Sequence, residues 1–181
     1  MTVRLYPGML DTSKEYFNHG DHVLIIKNGS VKKFEDVDQH PELNKILDDE
    51  VELNLLLDKW FGNNTVVKLR TLARCRFGAL NFTPDFSNDS SSHDYCECEY
   101  RGNCEGENII CKPVVFNGSE ISDQEIKLLQ ELSTNEKNTA IADNLGLPIG
   151  TLNVNKTKTY QKFGLITKQQ LTKDLFLEGL L

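Results

Sequence analysis

The stretch that decides the fold lies in the last third of the chain: Asn138-Thr139-Ala140-Ile141-Ala142-Asp143-Asn144-Leu145-Gly146-Leu147-Pro148-Ile149-Gly150-Thr151-Leu152. Ile141, Ala142 and Leu145 recur at helical spacing, Gly146 is a left-handed stop, and Pro148 stands where a new helix begins. The pattern predicts a helix over about 137–145, a tight turn, and a further helix from Ile149 to Phe163 that turns Leu152, Tyr160 and Phe163 to a core. Upstream, Ser122 followed three residues later by Glu125 forms a capping box. It opens a helix carrying Ile126, Leu128, Leu129 and Leu132, which Ser133-Thr134-Asn135 ends. Two short helices across a glycine turn can present the second one to the major groove of DNA. Thr151, Asn153, Asn155, Lys156, Thr157 and Lys158 are then left to face outward, with Lys162 at the end of the same helix and Asn138 and Thr139 opening the one before it. These side chains suit base edges and phosphates.

The net charge of -7 argues against a polyanionic partner, but its distribution does not. No Asp or Glu lies between Asp143 and Asp174, whereas Lys156, Lys158, Lys162, Lys168 and Lys173 do. Distant acids are screened over a Debye length of roughly 8 Å at physiological salt, so the local field decides phosphate contacts. Five lysines would equally form an ordinary solvated face, and the expected affinity for arbitrary DNA is weak.

These residues resemble the LuxR/GerE family of bacterial transcription regulators. The family order appears here without gaps as Ile121-Ser122-Asp123-Gln124-Glu125, Lys137-Asn138-Thr139-Ala140-Ile141-Ala142, Leu145-Gly146-Leu147-Pro148, Thr151-Leu152 and Lys162-Phe163-Gly164-Leu165. The likeness covers about a third of the chain and implies an all-α helix-turn-helix domain over 119–181 that binds double-stranded DNA. It also implies a dimer seam in the last helix, here 168–181, with Leu171, Leu175, Phe176 and Leu180; the same residues would also serve to cap the domain's own core. Gln124, Thr139 and Asn155 stand where family members commonly place an Arg, a Lys and a His, which removes cations from the DNA side.

Four of the five cysteines crowd into a second informative stretch, Cys96-Glu97-Cys98, Cys104 and Cys111, with glycines at 102 and 106. Four thiolates on a polar, glycine-rich loop can close tetrahedrally on zinc in a structural role. C-x-C is a poorer knuckle than C-x-x-C, and His93 would be a substitute ligand. An iron–sulfur cluster, a redox pair and unligated thiols remain open alternatives. Cys75 reads as a core residue. The tract from Trp60 through Cys75-Arg76-Phe77-Gly78 to Cys111-Lys112-Pro113 also resembles uncharacterised proteins of Bacteroidetes and their phages that join a cysteine-rich segment to a LuxR-like C-terminus.

Ahead of the cysteines, His22 to Phe34 reads as a hairpin about Asn28-Gly29. Pro41 to Asp49 and Val51 to Phe61 suit helices, the second with Leu53, Leu56, Leu57 and Trp60 on one face. Thr65 to Arg76 fits a helix or, from its Thr-Val-Val opening, a strand; we read it as helix. Residues 84–94 form a polar loop without periodicity, and Asn117-Gly118 is a joint before the helical third.

The expected organisation is an α+β module over 1–94, a cysteine-rich knuckle over 95–113 and the helix-turn-helix domain over 119–181. No apolar run is long enough to cross a membrane, and Met1 to Asn18 lacks the continuous apolar core of a secretory signal, so we expect a cytoplasmic protein. No phosphate loop or nucleophile elbow occurs, His19, His22, His40 and His93 lack metal spacing, and no small-molecule ligand is identifiable. These observations argue against an enzyme. They favour a bacterial or phage regulator that reads DNA with the helix over 149–163, or an adaptor that keeps the fold for protein contacts.

Overall fold

A computed structural model describes residues 5–36, 38–88 and 90–181. The described residues are mixed α and β, with a small antiparallel sheet near the N-terminus, a second two-stranded ribbon and seven α-helices. They divide into two compact units, Met1–Lys112 and Pro113–Leu181. No helix among them is long and apolar enough to cross a membrane.

The first unit opens with three antiparallel strands in sequential order: β1 (Lys14–His19), β2 (His22–Lys27) and β3 (Ser30–Lys33). The expected hairpin is β2–β3. Its turn residues Asn28 and Gly29 both adopt positive φ, 52° and 73°, the conformation whose twist matches two-residue hairpins. β1 has no counterpart in the sequence reading, because a strand reading Lys-Glu-Tyr-Phe-Asn-His hides its inward residues among polar ones. Tyr16 sits opposite Ile25 and, with Val23 and Phe34, gives the sheet an apolar face.

Three helices complete the unit: α1 (Pro41–Asp49), α2 (Val51–Phe61) and α3 (Thr65–Arg76). All three lie where the sequence placed them, and helix prevails over strand at 65–76. Asn64 caps α3 by accepting from the Val67 amide. Leu43, Leu47, Leu53, Leu57, Leu69, Leu72, Ala73 and Phe77 fill one core with the sheet. Leu56 and Trp60 pack partly buried against it, so the apolar stripe expected on α2 is used as a core face.

His40 is absorbed by this core. Its ring stacks on Phe34 at 3.8 Å, Nδ1 lies 2.9 Å from the Tyr16 hydroxyl, and Nε2 lies 3.2 Å from the Phe34 carbonyl. The Tyr16 hydroxyl also donates to Glu42 Oε1 at 2.6 Å. Burial holds His40 below the ordinary histidine range.

The described residues of the polar loop over 84–94, all but Asp89, are tied down by buried carboxylates. Glu15 Oε1 accepts from the Asn81 amide and Oε2 from the Asp85 amide, Asp85 Oδ2 accepts from the Tyr16 amide, and Asp94 accepts from Ala79 N and Asn81 Nδ2. Glu15 and Asp85 are fully buried, and Asp94 nearly so. Each carboxylate meets the backbone of a remote segment, so the loop needs little apolar area to be ordered.

The second unit begins with a ribbon of β4 (Val115–Phe116) and β5 (Ser119–Glu120). The Asn117-Gly118 pair expected to be a joint is the turn of this ribbon. α4 (Asp123–Ser133) follows, with both hydrogen bonds of the expected capping box formed between Ser122 and Glu125. Then come α5 (Asn138–Asn144), α6 (Ile149–Lys162) and α7 (Lys168–Leu177). Gly146 ends α5 at φ 63°, and the Leu147 amide returns to the Ala142 carbonyl at 2.9 Å, which closes the helix while leaving two residues before α6. Leu128, Leu129, Leu132, Ile141, Leu152, Phe163, Leu171, Leu175 and Leu180 are buried here. Three of the four residues considered for a dimer seam therefore serve their own unit, and Phe176 remains 54% exposed.

Burial raises Glu15 from its ordinary 4.5 to about 8 and lifts Asp85 well above 3.8, against the pull of their backbone hydrogen bonds. The folded chain therefore keeps protons that the unfolded chain releases, so this contribution is complete at acid pH and is lost as pH rises through the folded value. The thermal midpoint of the first unit should fall between about pH 5 and pH 8. Glu15→Gln should flatten that slope in a melting series across this range; an unchanged slope would contradict the assignment.

Candidate nucleic-acid interface and cysteine cavity

The candidate interface in the second unit is built on α6. Leu152, Thr159 and Phe163 anchor it inward, and Phe116 meets Phe163 edge to face at 5.3 Å. The helical period then turns Gly150, Val154, Thr157 and Gln161 to one outward face, and all four are exposed. Thr151 and Lys158 flank it on one side and Asn153 on the other, also exposed.

Two residues expected to face outward are half-buried. Asn155 is turned toward α4, where it lines a groove of about 630 Å³ with Gln124, Lys127, Leu145, Leu147 and Lys158. Lys156 lies on the opposite flank, its Nζ 5.7 Å from the Tyr160 ring centre. Asn138 and Thr139 are exposed at the start of α5, and Asn138 Nδ2 donates to Asn153 Oδ1 at 3.4 Å.

Lys162 is engaged within the unit. Its Nζ lies 2.8 Å from both Glu125 carboxylate oxygens and 4.8 Å from the Phe163 ring centre. Burial works against the Glu125 charge, but the bonds from Lys162 and Ser122 hold its carboxyl below the usual range. Among the described residues Lys158 shows no such pairing, and it is exposed beside this face. The sequence reading missed Val154, 52% exposed, and Ile149, 44% exposed, because apolar residues on a helix are assigned to the core by default. An exposed aliphatic group beside a hydrogen-bonding face matches the thymine methyl.

The cysteine segment is held against α2 and α3 of the first unit, so the residues read as a separate knuckle over 95–113 belong to that unit through Lys112. Arg76, at the end of α3 and only 4% exposed, organises the attachment. Its Nε donates to the Ile110 carbonyl and its Nη2 to the Ile109 carbonyl, both at 2.7 Å. Its guanidinium also forks onto Glu50 at 2.6 and 3.1 Å. Lys112 reaches the same carboxylate at 2.7 Å. Ile110 enters the core, and Glu105 accepts from Lys59 and from the Trp60 indole.

Of the four cysteines expected as ligands, Cys98, Cys104 and Cys111 line one cavity of about 220 Å³. Cys96 is not among its lining residues; its Sγ accepts from the Gly78 amide at 3.2 Å, and burial next to Asp94 pushes the thiol up to about 12. Cys75, read as a core residue, packs partly buried against the core and also lines the cavity. Hydrogen bonding from its thiol, together with the nearby Arg101 charge, lowers Cys111 to about 6 despite burial. Among the described residues, in their present rotamers, no three His, Cys, Asp or Glu side chains are disposed to hold a metal ion. Comparison with family models, curated proteins and solved structures finds no match.

Arg76→Met removes one of the two cations paired with Glu50 and strands two carbonyls, a loss of about 1–3 kcal/mol. Chemical denaturation should report that loss, and Cys98 and Cys111 should become faster to alkylate under native conditions. Unchanged alkylation would show that the segment is held by other contacts.

Proposed function

We propose that the chain is a sequence-specific DNA-binding transcription regulator of bacterial or phage type that places α6 in the major groove. The observation that carries this reading is the outward face of α6. It exposes Thr151, Asn153, Thr157, Lys158 and Gln161 with no acidic residue anywhere on the helix. Asn and Gln pair with base edges, Lys with phosphate, and Val154 is suited to a thymine methyl. α5 and the Gly146 turn would support α6, and Asn138 and Thr139 would approach the backbone of the duplex. In this reading the protein is cytoplasmic and catalyses no reaction, and a homodimer through 168–181 would rest on the exposed Phe176 and Leu181.

The second reading, a protein-interaction adaptor, is favoured by Ile149, Val154 and Ile166, which leave an apolar component on the same unit. Selection of bound sequences from a random duplex library with the full chain separates the two: a consensus supports the regulator, and its absence supports the adaptor.

Once a site is selected, Asn153→Ala should reduce discrimination at one position by about 1–3 kcal/mol. Lys158→Ala should weaken all sequences alike and reduce the salt slope by about one. Lys162→Ala should leave that slope nearly unchanged, because Glu125 already neutralises Lys162. Fluorescence-anisotropy titrations over a range of salt measure all three. Equal slopes for Lys158→Ala and the unaltered chain would count against this orientation of α6.

A further inference from the structure

We propose that the cavity of the first unit is a thiolate site for a single zinc-class ion, with Cys75, Cys98, Cys104 and Cys111 as its ligands. The four cysteines line the same 220 Å³ space from three places: the last turn of α3, the stretch that follows Cys96, and the end of the segment at Cys111. Cys98 and Cys104 each open a tight turn, closed by the Arg101 amide on the Cys98 carbonyl at 3.2 Å and the Glu107 amide on the Cys104 carbonyl at 3.1 Å. Within the second turn the Gly106 amide donates to Cys104 Sγ at 3.3 Å, the kind of bond that stabilises a thiolate and orients it toward a metal.

The surroundings fit the same occupant. A cysteine-only donor set selects soft metals such as zinc. Four thiolates on a divalent ion carry a net charge of -2, and Arg101 on the cavity wall offsets it. Gly106 has no room for a side chain, since a Cβ there would lie 2.9 Å from Trp60 and from Ile110; the loop is thereby pressed against the wall that carries the thiols. Among the described residues no three such side chains already form a metal-holding group, so binding requires the cysteines to draw together at the cavity, and the bond energy opposes the entropy of fixing a segment with little regular structure. Cys96 is excluded because its sulfur is buried against Gly78.

The test uses the full chain purified without chelator, then exchanged with ¹¹³Cd. Elemental analysis should find about one zinc per chain. Proton–cadmium correlation spectra should connect one cadmium to the β-protons of Cys75, Cys98, Cys104 and Cys111, without any need for a variant. A correlation to Cys96 in place of Cys75, iron with sulfide in place of zinc, or no bound metal each overturns the assignment. Cys96→Ala should retain the metal and Cys75→Ser should lose most of it. Retention by folded Cys75→Ser also overturns the proposal. The site lies wholly in the first unit, so its success or failure is separate from that of DNA binding.

Discussion

The guanidinium of Arg76 is the point on which the first unit depends. A desolvated arginine is tolerable only when its donors are met, and Arg76 donates four hydrogen bonds here, two to Glu50 and two to consecutive carbonyls of the cysteine segment. The carboxylate fixes where α1 gives way to α2; the carbonyls fix where residues 109 and 110 lie. Glu50 stays ionised although burial opposes it, because Arg76 and Lys112 share its two oxygens. A planar fork is required for this geometry, and a lysine in its place would leave carbonyls unmet. The cavity between the cysteines and Trp60 exists because this network holds the segment against α2 and α3.

The helices were legible in the chain because their evidence is local. The capping box at Ser122, the stop at Gly146, the apolar stripe from Leu53 to Trp60 and the Asn28-Gly29 turn each lie within a few residues, and the structure contains each. What stayed hidden depends on contacts across the sequence. β1 carries a buried glutamate, so its alternation is invisible until Asn81 and Asp85 are known to stand opposite. The loop over 84–94 reads as solvated because its acids are ordinarily exposed, yet two of them sit beneath the surface as acceptors for amides.

The candidate sites divide in the same way. Exposure of Thr151, Asn153 and Lys158 follows from helical period alone. The inward lean of Asn155 and the capture of Lys162 do not, since both are set by α4. Among the cysteines, clustering in sequence suggested one set of four, whereas the cavity gathers Cys75 from the end of α3 and leaves Cys96 aside. Proximity along the chain favoured Cys96, but a helix in the core carries Cys75 to the same place.

Glu50 is both the last cap of α1 and the first cap of α2, so a single residue separates two helices. This sets where the chain tolerates changes in length. One residue added at that joint would turn the leucine face of α2 by about 100° around its axis, away from the sheet and toward solvent. The same addition at the exposed β3 edge, or in the turn between Ser133 and Asn138, would meet no such geometric bar. Variants of this chain should therefore differ in length at its rims and keep the spacing from Pro41 to Phe61 constant.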